Sequence, residues 1–66
     1  MNVAPTWSLV DRWLEEMGVS YHNRKKIGLR GRVPYKYHHD LIERARSAGY
    51  VIQPEQLSNL ANLANQ

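Results

Sequence analysis

Residues 9 to 34 read LVDRWLEEMGVSYHNRKKIGLRGRVP, and Gly18 and Ser20 punctuate that run into two helices. On the N-terminal side, Trp7, Val10, Leu14 and Met17 recur at intervals of three or four. That spacing makes one apolar stripe of an α-helix, and Trp13 widens it. Thr6 or Ser8 is placed to cap this helix, and Ser8 with Asp11 has the Ser-x-x-Asp form of a capping box. Gly18 follows as a C′ residue, and Glu15 and Glu16 fall mostly off the stripe. On the C-terminal side, Ser20 is a favourable N-cap, with Asn23 three residues later, for a helix that ends near Leu29. This second helix is short and polar, carries Gly28, and has Ile27 as its clearest apolar residue, flanked by Val19 and Leu29. Tertiary contacts must hold it, and Gly31 stops it. Two short helices separated by Met17-Gly18-Val19-Ser20 make a helix-turn-helix. Gly18 permits the turn, Val19 plugs the corner, and the first helix braces the second.

Working outward, Pro34 is expected to open a third helix from its first position. Tyr37, Leu41, Ala45 and Ala48 repeat along it, with Ile42 beside them, and Arg44 and Arg46 complement the dipole of its last turn. Gly49 ends it. Tyr50-Val51-Ile52 reads as a short extended link anchored in the core, and Pro54 starts a last helix with Leu57, Leu60, Ala61 and Leu63 or Ala64 on its buried side. Those leucines read as intramolecular core rather than as a zipper. The Asn- and Gln-rich tail is expected to fray. The expected fold is therefore all-α, a compact bundle of about four short helices forming one domain over residues 1–66. Its helices are expected at 6–17, 20–29, 34–48 and 54–64.

A chain of 66 residues buries only about 60% of the surface its unfolded form exposes. It has no cysteine, hence no disulfide framework and no Cys/His cluster for a structural metal. Stability must come from a few apolar side chains, Trp7 and Trp13 first among them, helped by any second subunit. Met1 to Pro5 have neither the basic start nor the apolar run of a signal peptide. No stretch approaches the roughly 18 apolar residues of a membrane span. A soluble, cytoplasmic protein with no membrane partner is expected.

The net charge of +3 is unevenly spread. Arg24, Lys25, Lys26, Arg30, Arg32 and Lys36 lie between Tyr21 and Lys36 with no acid among them, so the rest of the chain sums to −3. A basic block beside mildly acidic helices is the electrostatic footprint of a polyanion-binding face. Tyr21, Tyr35 and Tyr37 interleave with these cations, as stacking residues of single-strand binders do, but Tyr37 falls on an apolar stripe and reads as core. His38 and His39 point about 100° apart on a helix, with no acidic or cysteine partner at ligand spacing, so no metal is expected. One of them should cap or pack, and the other should lie on the surface. Glu15 and Glu16 diverge in the same way and cannot act as a paired acid and base. Nothing pairs a serine or threonine with a histidine, and no glycine loop cradles a phosphate. Neither enzyme activity nor a cofactor is expected.

The stretch from Leu9 to Pro34 resembles the lambda-repressor and Cro-like helix-turn-helix family of bacteria and their phages. It is similar to the family pattern of a first helix ending Leu-Gly-Val-Ser, a recognition helix, and then Arg-Gly-Arg-Ile-Pro. The likeness continues through PYKYHHDLIERARSAGYVI, from Pro34 to Ile52, which looks like the fourth helix of small phage-type members. It covers about two-thirds of the chain. The resemblance implies a sequence-specific, repressor-like transcriptional regulator on double-stranded DNA. A homodimer is expected from economy, because one such module contacts too little DNA to be tight and selective. The resemblance also implies that Tyr21, His22, Asn23 and Lys26 face the bases of a major groove. Asn23 would suit adenine, Lys26 guanine, and Tyr21 a phosphate or a thymine methyl. It places Ser20, Lys25, Arg30, Arg32 and Lys36 on phosphates, where they set register. Where the family has a small apolar residue, this chain has Arg24. An unpaired buried guanidinium would cost several kcal/mol, so Arg24 is expected to point outward. The alternative is a phage-type protein-interaction module or inhibitor that reuses the scaffold, its basic face docking an acidic protein.

Overall fold

The computed structural model describes residues 3–63. Four α-helices lie in chain order among them: α1 (Trp7–Glu16), α2 (Tyr21–Arg30), α3 (His38–Ser47) and α4 (Pro54–Ser58). Two 3₁₀ turns, Tyr35–Tyr37 and Leu60–Asn62, interrupt the later half, and the described residues contain no β-strand. The all-α bundle is as the apolar periodicity requires.

Local chemistry accounts for the first two helices. The Thr6 hydroxyl accepts the Leu9 N–H at 3.4 Å and caps α1, so of the two residues offered by the sequence Thr6 is the cap. Ser8 instead lies within the first turn. At the other end Gly18 adopts φ +91°. This left-handed conformation lets the Val19 N–H reach the Leu14 carbonyl (3.0 Å) and the Gly18 N–H reach that of Glu15 (3.0 Å). That pair of bonds satisfies two of the carbonyls a helix end leaves orphaned, and it seats Val19 against the core, only 6% exposed. The Ala45–Tyr50 segment repeats the device around Gly49, whose φ is +88°. Ser20 caps α2 by accepting the Asn23 N–H at 3.3 Å.

The core draws on every helix: Val10, Trp13 and Leu14 from α1, Ile27 from α2, Leu41 and Ala45 from α3, Leu57 from α4. Val19, Val33, Ile52 and Leu63 from the connections complete it. Trp13 meets Tyr50 edge to face at 6.0 Å between ring centroids. Trp7 is half-buried, its ring lying where Gly28 of α2 carries no side chain. In the 50–52 link Ile52 is buried and Val51 exposed.

Two expected helices differ from the observed ones. Pro34 is extended (φ −54°, ψ 141°) and precedes a 3₁₀ turn, so the α-helix starts at His38 and not at position 34. The cause is tertiary. The Val33 N–H donates to Leu57 O (2.7 Å), while buried His38 donates through Nε2 to Val33 O (2.8 Å), holding this segment out of helical register. Tyr37, expected in the core, is half-buried against it. The last helix stops at Ser58 rather than running to 64, because Asn59 is extended and Leu60 donates to Gly31 O (2.7 Å). That break lets both Leu57 and Leu63 reach the interior. Position 64 and the rest of the Asn- and Gln-rich tail lie outside the described residues.

Candidate nucleic-acid interface

By composition α2 is a weak helix, and its neighbours place it. Ile27 faces the core, and Gly28 lets α1 approach through Trp7. Arg24 supplies the third tie and corrects the expectation that it points outward. Its side chain is only 11% exposed. Nε meets Asp11 Oδ1 of α1 at 3.0 Å, and Nη1 donates to the Val19 carbonyl in the turn at 2.8 Å. The guanidinium carbon also lies 5.8 Å from the centroid of the Tyr21 ring. A guanidinium in this position is tolerable because Nε and Nη1 are bonded and no buried side-chain nitrogen or oxygen among the described residues lacks a partner. It clamps α1, the turn and α2 together.

Arg24→Ala is expected to lower stability by about 1–2 kcal/mol. That is less than the loss of one partner from a fully buried pair, because Asp11 is 40% exposed and rehydrates. A urea titration checks this, and an unchanged midpoint would show that the clamp carries no stability.

With Arg24 and Ile27 turned inward and Gly28 beside the Trp7 ring, the geometry of a helix puts His22, Lys25, Lys26 and Leu29 on the opposite side, at i, i+3, i+4 and i+7. All four are exposed, as are Tyr21, Asn23 and Arg30 on the flanks. Along one flank a cleft is lined by Asn23, Lys26, Ile27, Arg30, Pro34, Lys36 and Tyr37. It gathers two of the base-reading candidates and two of the phosphate-binding ones. The Lys36 ammonium lies 5.2 Å from the Tyr37 ring centroid. Along the other flank Tyr21 and Lys25 line a groove with Trp7, Asp11, Arg24, Gly28 and Leu29. Ser20 is exposed but already uses its hydroxyl as the α2 cap. Arg32 is exposed in the loop beyond α2 and lines neither hollow.

Charge is segregated accordingly. The ion pairs among the described residues are Arg24–Asp11, Arg44–Glu16 and Arg46–Glu43. Lys25, Lys26, Arg30, Arg32 and Lys36 thus have no carboxylate partner among them. The acids Glu16, Asp40 and Glu43 gather at a separate groove between α1 and α3. The adjacent histidines divide as their spacing requires, His38 buried on Val33 O and His39 exposed. No group of three or more His, Cys, Asp or Glu residues capable of holding a metal occurs among the described residues. Nor is any helix among them long and apolar enough to cross a membrane.

Two residues escaped the sequence reading. Arg24 acts through Asp11, thirteen positions away, and nothing in the local pattern links the two. Leu29 was legible only as an apolar flank of Ile27, yet it is 80% exposed. Its place on the His22–Lys25–Lys26 stripe was the available signal. No protein-family model, curated protein or solved structure matches this chain.

Proposed function

We propose that this chain is a sequence-specific double-stranded DNA-binding domain, a Cro-like transcriptional regulator of bacterial or phage type that acts in the cytoplasm. The observation that supports it is the capped, clamped α2, which turns to solvent a row of cations without acidic partners among the described residues. A major groove is wide enough for such a helix and offers donors and acceptors in a sequence-dependent pattern. In this reading Tyr21, His22, Asn23 and Lys26 contact base edges, while Ser20, Lys25, Arg30, Arg32 and Lys36 hold phosphates and fix the register. One such module touches too little DNA for tight, selective binding. A homodimer would place two copies of α2 about 34 Å apart on one face of the duplex.

Binding selection from random duplex DNA tests the proposal and, through the symmetry of any motif, the dimer. Asn23→Ala and Lys26→Ala are each expected to relax preference at a single base pair by roughly tenfold. Arg30→Ala and Arg32→Ala are expected to weaken binding to every sequence alike. Uniform losses from all four, or no enriched motif, would count against base reading by α2. Recovery of one protein partner with no DNA motif would favour the interaction module instead.

A further inference from the structure

Leu29 is the anomaly of the basic face. A large aliphatic side chain 80% exposed stands at the end of a stripe otherwise made of His22, Lys25 and Lys26. Leu29 takes no part in the core, to which α2 contributes Ile27. We infer that Leu29 is a specificity-determining residue that packs on the C5-methyl of a thymine in the major groove, an assignment that rests on the DNA-binding reading above. A polyanion alone would be served by another lysine. Among the groups that base pairs display in the major groove, the thymine methyl is the apolar one, so an apolar tip in a cationic frame matches a duplex edge containing thymine. Lys25, one turn before Leu29 on the same side of α2, lines the same groove, which sets a charge able to reach phosphate beside the methyl contact. Leu29 follows Asn23 by six positions, about 9 Å along the helix axis. The two residues therefore read different base pairs.

The test takes the site enriched by selection and replaces each thymine in turn by deoxyuracil, which removes the methyl group and keeps the pairing. Wild-type protein is expected to lose about fourfold in affinity at one of these positions, the effect of burying one methyl-sized group. Leu29→Ala is expected to bind the unmodified site more weakly and to be indifferent to deoxyuracil at that same position, since both changes delete one contact. Because Leu29 is exposed, the variant is expected to keep the wild-type melting curve, which circular dichroism checks. The assignment is overturned if the enriched motif holds no thymine, if wild type is indifferent to every replacement, or if the deoxyuracil penalty persists in Leu29→Ala. It is equally overturned if Leu29→Ala binds all duplexes as wild type does, which would leave the leucine to a protein contact. A complete absence of duplex binding at low salt would sink the DNA reading itself, a result distinct from all of these.

Discussion

Trp13→Ala is expected to remove about half of the chain's stability and to lower its melting temperature by at least roughly 12 °C. Trp13 sits in the middle of α1, 7% exposed, and packs edge to face on Tyr50. It thereby ties the first helix to the link that follows α3. Truncating a buried tryptophan costs about 3–5 kcal/mol through lost transfer free energy and the cavity left behind. At about 0.05–0.15 kcal/mol per residue, a chain of this length has roughly 3–10 kcal/mol in total. No disulfide stands in reserve. The measurement is thermal unfolding followed by circular dichroism. A cooperative melt within a few degrees of wild type would show that the core is centred elsewhere, for instance on Leu14, Leu41 and Leu57, all of which are fully buried.

The second large effect is expected from salt. Four cations assigned to phosphates, Lys25, Arg30, Arg32 and Lys36, lack acidic partners among the described residues, and each phosphate neutralised contributes about −0.9 to the slope of log affinity against log salt. The slope for one protomer should then be about −3.6. Affinity for duplex DNA should fall about 150-fold between roughly 50 and 200 mM salt. Arg24 is left out of the count because Asp11 already opposes its charge. Arg24→Gln is accordingly expected to keep the slope, whereas Lys25→Ala should reduce its magnitude by about 0.9. Fluorescence anisotropy on a random-sequence duplex at several salt concentrations measures both. A slope near −1 would mean that these side chains do not meet one polyanion together, and the proposed function would fall with it.

Much of the candidate site was legible because its parts are local. Ser20 and Asn23 are three positions apart and Thr6 and Leu9 likewise, the separation at which a hydroxyl reaches a helix amide. Gly18 lies where a left-handed residue must close α1. The row His22, Lys25, Lys26 follows from helix periodicity once the direction of Ile27 is known. The exposure of Leu29 was signalled only by its place on that row, since an apolar residue beside Ile27 reads first as core.

Hydroxyl caps, glycine turns and apolar spacing act over three or four residues, so the order and type of the helices, the turn between α1 and α2, and the basic run were present in the chain alone. Only packing settled the rest. Arg24 turns inward because Asp11 and the Val19 carbonyl meet it there. The third helix starts late, and the last one breaks at Asn59, because Val33 bonds Leu57 and Leu60 bonds Gly31. These bonds join residues far apart along the chain, they offset the helical bonds given up, and no window of neighbouring residues carries a trace of them.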